Sequence, residues 1–268
     1  MNVLEIERGD GIMVLRMNRP ERLNALNSEL RAALIAAWTE FNESKELEVA
    51  IFTGTGRAFC AGEDMKESVE RGTPGGGAAA RREDDPFRSG RVGKPVIAAL
   101  NGLAMGGGFL LVEQCDLRVA VPGIQFESSE AKRWLIGGYD HGLKGGLPHA
   151  VATELAFAFR FSSERLHQLG FINRIVEPDQ LIPTAKEMAA HLLSLPPACR
   201  VNTLTMMRAM RATMPDRLEK LAALLKDHGA KSDLMESRKA FAEKRKPVFK
   251  GWDDPADRAR TPRLEDVR

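Results

Sequence analysis

Short runs of apolar, β-branched residues alternate with segments of helical periodicity along the first half of the chain. Five of these runs are predicted to be strands, namely Val3–Ile6, Ile12–Met17, Val49–Thr53, Val96–Leu100 and Leu117–Val121. They are short, rich in Val and Ile, and mostly bounded by Gly, Pro or Asn, as buried strands are. Alternation of strands with helices restricts the chain to an α/β layered fold.

Helical signals lie between and after these strands. Apolar residues recur at helical spacing from Leu30 onward, with Asn27 or Ser28 as the N-cap. Beyond Pro148 the chain is mainly helical, and Asp216–Glu219 resembles a capping box that opens a long amphipathic helix. We therefore expect a core over residues 1–195 and a helical C-terminal region with a polar tail over residues 196–268.

Charge and cysteine content exclude several classes of protein. The chain has 39 basic and 37 acidic residues, a net charge of +2, which argues against a general nucleic-acid surface. No apolar run is long enough for a membrane span, and the N-terminus has no secretory pattern. The three cysteines are far apart and match no zinc spacing, so we expect a cytoplasmic protein without a metal.

Two segments have little apolar content. Residues 70–91 combine glycine, alanine and dense mixed charge, which predicts a loop or a lid. Residues 251–268 form a polar tail. Simple solvent-exposed chain explains both segments at least as well as a functional role does.

Two turns of small residues follow predicted strands and could bind a ligand through their backbone. Ala58–Asp64 follows the third strand, and Gly106–Gly108 follows the fourth. Two N–H groups from two such turns are what an oxyanion hole requires, because fixed dipoles stabilise negative charge on a thioester or ester oxygen. Either turn alone is equally explained by tight packing of a helix on a strand.

Together these turns and several other segments resemble the crotonase superfamily, the enoyl-CoA hydratase/isomerase family. The matching segments, in order, are Asn18–Asn27, Arg57–Met65, Lys94–Gly108, Cys115–Arg118, Leu169–Val176 and Phe241–Gly251. The resemblance implies a spiral of ββα turns with a helical C-terminal trimerisation region. It also implies homotrimers, or hexamers made as dimers of trimers. The substrate would be an acyl-CoA, with coenzyme A as part of the substrate and no separate cofactor.

The resemblance also assigns residues to the thioester and to coenzyme A. The backbone N–H groups of Glu63 and Gly107 would form the oxyanion hole. The residues matched to coenzyme A are Arg22, Ala25, Ala61 and Asp64. A guanidinium suits a phosphate, although Arg22 could also be an ordinary surface arginine.

The acid/base positions of the family are only partly filled. Hydratases of the family have one glutamate two residues after the glycine run, where this chain has Leu110. The second position falls on Glu130 if Phe126 matches the family's phenylalanine, but Glu127 lies only three residues away. A single glutamate suits double-bond isomerisation, and hydration with one glutamate also occurs among relatives.

The segment after Glu130 departs from the family pattern and carries polar residues. Asp140 and His141 could supply a second acid or base, or could simply belong to a solvent-facing turn. We expect an acyl-CoA thioester enzyme that stabilises an enolate and uses Glu130 as its main acid/base. The alternative is a non-catalytic crotonase-fold protein that binds acyl-CoA or acts as a scaffold.

Overall fold

Two β-sheets run through the structure, a computed structural model that describes residues 2–75 and 83–267. The larger sheet consists, in spatial order, of β1 (Leu4–Gly9), β2 (Ile12–Met17), β3 (Val49–Gly54), β5 (Val96–Leu100), β7 (Leu117–Ala120) and β10 (Arg174–Ile175). The smaller sheet consists of β4 (Ala58–Cys60), β6 (Leu103–Met105), β8 (Gln125–Glu127) and β9 (Phe161–Ser162). All five predicted strands are present, with ends that differ by a few residues at most.

The helices follow the strands in a repeating order. They are α1 (Ser28–Glu43), α2 (Met65–Arg71), α3 (Gly107–Gln114), α4 (His149–Ala156), α5 (Ser163–Gln168), α6 (Leu181–Ser194), α7 (Pro197–Ala209), α8 (Asp216–Lys226) and α9 (Ser232–Ala242). Strands β3 and β4 precede α2, and β5 and β6 precede α3. Each turn of the chain thus adds one parallel strand to each sheet and then a helix, which confirms the predicted spiral of ββα turns.

The large sheet is buried on both faces. Alternate residues of β3 enter two separate apolar clusters, with Phe52 on one side and Ile51 on the other. Helix α6 covers the side of Ile51, and α1 packs on the side of Phe52 through Trp38. Parallel strands buried on both faces read as continuous apolar runs, which is why the sequence shows them clearly.

The predicted helix ends are correct in one place and wrong in another. The Asn27 side chain accepts a hydrogen bond from the Leu30 amide at 2.9 Å and so caps α1. The capping box predicted at Asp216 is wrong. Pro215 occupies the N-cap position, so Asp216 already lies in the first turn and no side chain caps this helix.

The expectation of a solvent-exposed loop over residues 70–91 is wrong for its second part. Phe87 is 2% exposed and stacks on Trp38 with ring centroids 4.4 Å apart. The buried Asp85 carboxylate accepts hydrogen bonds from the amides of Phe87 and Arg88, at 2.9 and 3.0 Å. One aromatic ring therefore docks the segment on α1, while residues 76–82 lie outside the described part of the chain.

The C-terminal residues form short turns at Pro255–Arg260 and Leu264–Asp266, and the Leu264 carbonyl accepts a hydrogen bond from Arg217. Within residues 2–75 and 83–267, none of the helices is both long and apolar enough to cross a membrane.

Replacing Phe87 with Ala should destabilise the protein by about 3 kcal/mol, because a buried ring that stacks on Trp38 is lost and leaves a cavity. Urea unfolding at fixed protein concentration measures this change. Phe157→Ala is the control, because Phe157 is 70% exposed. Equal stability of the two variants would show that Phe87 is not packed in solution.

Candidate active site

A cavity of about 310 Å³ opens where the strands of the small sheet end. Ala61 and Glu63 follow β4, Gly107 follows β6, and Ser129 and Glu130 follow β8. Because β4, β6 and β8 are parallel neighbours, their carboxyl ends meet at one edge. The topology therefore brings three segments that are far apart in sequence to one site.

The two small-residue turns contact each other directly. A Cβ atom added to Gly62, whose φ is +88°, would lie 2.6 Å from the Met105 carbonyl oxygen and 3.1 Å from the Gly107 amide nitrogen. A Cβ atom on Gly108 would lie 2.1 Å from the Cys60 carbonyl oxygen. Only glycine permits this approach, which places the amides of Glu63 and Gly107 beside one cavity.

The amides of Glu63 and Gly107 have no intramolecular acceptor among the described residues. The Leu26 amide donates a hydrogen bond to the Gly62 carbonyl, and the Asp64 amide donates one to the Leu26 carbonyl. Neither of these hydrogen bonds uses the Glu63 N–H. Gly107 is the first residue of α3, where amides lack helical partners. Two free donors at a helix N-terminus suit a developing negative charge.

Glu130 lines this cavity, and Glu127 does not. One Glu130 oxygen accepts a hydrogen bond from Ser128 Oγ at 2.8 Å, and the other lies 3.8 Å from His141 Nε2. The Glu127 carboxylate is instead occupied by Lys132 and Arg160, each at 2.9 Å. The structure thus separates the two glutamates that the sequence left as alternatives.

His141 is buried between two carboxylates. Its Nδ1 lies 2.9 Å from Glu113 Oε2, and its Nε2 faces Glu130. The other Glu113 oxygen accepts hydrogen bonds from the amides of Gly142 and Gly145, at 2.5 and 3.2 Å. Space for the ring depends on Gly138, because a Cβ atom there would lie 2.0 Å from His141 Cδ2.

His141 and Glu130 shift each other's pKa. Burial lowers the pKa of His141, but hydrogen bonds and charge interactions with Glu113 and Glu130 outweigh it and raise the pKa to about 10. Burial raises the pKa of Glu130, and the interaction with His141 outweighs it, so this pKa lies below its usual range. At neutral pH Glu130 is therefore an ionised carboxylate, the form that accepts a proton.

Asp140, the other polar residue singled out beside His141, has a different partner. Its carboxylate forms an ion pair with Lys144, four residues further along the same loop. Asp140 lines a neighbouring cavity of about 730 Å³, which shares Leu110, Glu130 and Trp134 with the first. Of the two residues that could supply a second acid or base, His141 is the one that faces Glu130.

The Glu63 side chain binds the C-terminal helix α9. Arg238, which is fully buried, donates to the two Glu63 oxygens at 2.9 and 3.3 Å. The Gly75 amide also donates to Glu63, at 2.7 Å. Arg238 stacks in turn on Trp134 at 4.6 Å. The turn that carries the Glu63 amide is therefore held by a residue near the far end of the chain.

The four residues matched to coenzyme A lie near one another. Asp64 caps α2 by accepting a hydrogen bond from the Lys66 amide at 3.2 Å. Its carboxylate also lies 3.1 Å from Arg19 and 3.6 Å from Arg22. Ala61 lines the cavity. Ala25 is buried and directly precedes Leu26, which is another lining residue. Arg22 is the most exposed charge of this group, with a third of its side chain accessible.

Sequence reasoning missed Glu113 and Arg238. Glu113 lies three residues after Leu110 on α3, a spacing that puts both residues on one face of the helix. This spacing is the signal in the sequence that could have identified Glu113 as a residue near the site. Arg238 carried no local signal, because its partner lies 175 residues away. In the described part of the chain, no cluster of metal-binding side chains is present.

Comparison with known proteins agrees with this geometry. The family model for enoyl-CoA hydratase/isomerase matches residues 7–252, so the chain belongs to the enoyl-CoA hydratase/isomerase family. It is 35% identical to mevalonyl-coenzyme A hydratase of Aspergillus fumigatus, over 89% of this chain and 91% of that protein. It is 31% identical to (E)-benzylidenesuccinyl-CoA hydratase of Thauera aromatica, over 92% and 98%.

The fold is also that of solved structures in the family. A carnitinyl-CoA hydratase from Mycobacterium avium superimposes with a TM-score of 0.78 at 26% identity, over 93% of this chain and 99% of that one. The chain therefore has the crotonase fold and is an acyl-CoA thioester enzyme of the hydratase/isomerase type. The non-catalytic alternative finds no support in these comparisons.

Replacing Arg238 with Met should destabilise the protein by about 3 kcal/mol, because the Glu63 carboxylate loses its buried partner. The double variant Glu63→Met/Arg238→Met should recover much of this loss, since neither charge is then left alone. Urea unfolding of the single and double variants measures both effects. A double variant no more stable than Arg238→Met would argue against the ion pair as the cause.

Proposed function

We propose that Glu130 transfers the proton in this enzyme, while the amides of Glu63 and Gly107 hold the thioester oxygen. The observation that carries the proposal is their shared cavity, with an ionised carboxylate facing the turn that presents the Gly107 amide. Proton removal next to a thioester places negative charge on the thioester oxygen. Fixed amide donors stabilise that charge more in the transition state than in the substrate.

Leu110 limits the chemistry to one carboxylate. In an isomerisation, Glu130 removes a proton from the α-carbon and returns it to another carbon as the double bond moves. In a hydration, Glu130 takes a proton from water as the water oxygen adds to the β-carbon, and then gives that proton to the α-carbon. Both reactions place negative charge on the same thioester oxygen, in a dienolate or in the enolate of a hydroxyacyl thioester, so we propose double-bond isomerisation or hydration of an enoyl-CoA.

His141 serves this proposal as a positioning residue. It holds one oxygen of Glu130 from the buried side, and Glu113 fixes its ring through Nδ1. Asp140 supplies charge near His141 but is itself paired with Lys144. We propose Glu130 as the proton carrier, with His141 setting its ionisation.

Coenzyme A binding is proposed at Arg22, Ala25, Ala61 and Asp64. Asp64 orients Arg22 by charge, which leaves the exposed part of the guanidinium for a phosphate. We propose that coenzyme A enters only as part of the substrate and that no separate cofactor or metal is needed. Full activity after dialysis against a chelator would support this.

We propose that the chain assembles into trimers or into hexamers made of two trimers. The support is a set of large apolar side chains that α7 leaves exposed, including Met206 and Met207, beside an apolar cavity of about 720 Å³. Light scattering after gel filtration measures the assembly. A cytoplasmic location is proposed from the cysteines Cys60, Cys115 and Cys199, which are all free.

Glu130→Gln should lower kcat by about a thousandfold while acyl-CoA affinity stays within about threefold, because the amide keeps the shape but cannot take the proton. The measurements are turnover of a panel of enoyl-CoAs and deuterium exchange at the α-carbon in heavy water. Glu127→Gln is the matched control, since its carboxylate lies outside the cavity. Undiminished exchange in Glu130→Gln would exclude Glu130 as the proton carrier.

His141→Gln should move the acid limb of the rate profile to higher pH by about one unit. Glu130 has a depressed pKa, so its activity as a base is present at higher pH and is lost as the pH falls through that pKa. Without the His141 charge the pKa rises, and the loss begins at higher pH. Measuring kcat/KM against pH gives this midpoint.

The double variant Glu113→Gln/His141→Gln repeats this measurement without leaving the Glu113 carboxylate buried and unpaired on α3. The charged groups around His141 are Glu113 on α3, Glu130 after β8, and Asp140 and Lys144 on its own loop. The double variant should show the same displaced midpoint at higher stability. A midpoint equal to that of the wild type in both variants would exclude His141 from control of Glu130.

A further inference from the structure

Arg31 is a half-buried cation on the wall of the candidate active-site cavity. It lies on α1 and lines the same cavity as Gly107 and Glu130. Its Nε atom is buried without a hydrogen-bond partner, and its side chain forms no ion pair within the described residues. Desolvation, followed by the charge of Arg88, lowers the pKa of Arg31. A guanidinium nitrogen that is buried without a hydrogen-bond partner costs free energy, and a bound anion would offset that cost.

The acidic groups of this cavity do not neutralise Arg31. Glu63 forms its bidentate pair with Arg238, and Glu130 is held by Ser128 and His141. The remaining charged groups of the wall are basic. Neither carboxylate of the described part of the wall therefore forms an ion pair with Arg31, close to the reacting centre.

A second arginine of the wall is in a similar position. Arg133 has a buried Nε without a hydrogen-bond partner, and its guanidinium lies over the Phe241 ring at 5.1 Å. Desolvation, followed by the charge of Arg238, lowers the pKa of Arg133. Arg88 adds a third guanidinium to the lining. Arginine is the side chain best suited to a carboxylate, because its planar fork donates two parallel hydrogen bonds.

The position of Arg31 favours an anion on the acyl group over the phosphates of coenzyme A. The pantetheine arm separates the phosphates from the thioester, whereas this cavity contains the amide and carboxylate that act on the thioester. Arg22, the residue proposed for a phosphate, is not part of the cavity wall. An uncharged acyl chain in this cavity would leave Arg31 without a partner.

We infer that the acyl group of the substrate carries a carboxylate, which Arg31 binds at the cavity wall while Arg133 adds positive charge. The inference rests on the proposed function, because it places the acyl group in the cavity that Glu130 lines. It narrows the substrate to the class of thioesters formed from dicarboxylic acids.

Paired ligands test the inference by binding alone. Succinyl-, glutaryl- and adipyl-CoA are compared with their monomethyl esters by calorimetry, since each pair differs only in the distal charge. The wild type should bind at least one acid about tenfold or more tightly than its ester, as expected for a charge-assisted hydrogen bond. Arg31→Met should lose that preference, with the ester affinity within about twofold of the wild type.

Matched variants separate charge from folding. Arg31→Lys should keep part of the preference for the acid over its ester, because lysine keeps the positive charge but cannot donate two parallel hydrogen bonds from a planar group. Arg57→Met is the control, as Arg57 is exposed and lies outside the cavity. Thermal unfolding of each variant shows whether it is folded.

Several outcomes would overturn the inference. The wild type could bind acids and esters with equal affinity, or could bind no acid measurably. Arg31→Met could also lose affinity for the acid and for the ester to the same extent. A parallel loss of affinity for free coenzyme A would assign Arg31 to the phosphates instead. Glu130→Gln is measured alongside: if it turns over substrate normally while the wild type still prefers acids, the proposed proton carrier fails and the substrate class stands.

Discussion

The close approach of two backbone turns, one after β4 and one after β6, is the constraint on which the site depends. Gly62 and Gly108 have no room for a side chain, so the two turns and the start of α3 pack backbone against backbone. This contact fixes two amides beside one cavity. The proposed oxyanion hole is therefore built from the main chain and the parallel small sheet, whereas the proposed proton chemistry depends on side chains.

The acid/base part depends on side chains from less regular segments. Glu130 lies in a short turn after β8, and His141 reaches it from a loop that Gly138 allows to pack closely. Leu110 leaves no second carboxylate at the usual point on α3. Glu113, one turn further along, binds the imidazole from behind instead. In the proposed mechanism, the family scaffold thus keeps its backbone donors while proton transfer depends on one carboxylate.

The strands and the glycine turns could be predicted from the sequence because their signals are local, whereas Glu130 was singled out only through the resemblance to the family. Buried parallel strands such as β3 are continuous apolar runs, and glycines mark turns where a side chain would clash. The packing of Phe87 was missed because one aromatic residue stands in a charged stretch. The pairs Glu113–His141 and Glu63–Arg238 join distant segments, so their residues looked like ordinary surface charges until the fold brought them together.

The link between Glu63 and Arg238 couples the cavity to the C-terminal region. The turn that carries the Glu63 amide lies between β4 and α2, but its buried anchor belongs to α9, near the end of the chain. A chain cut before α9 would leave the Glu63 carboxylate without its cation. Truncation there would therefore act on the turn beside the cavity, although Arg238 itself does not line the cavity.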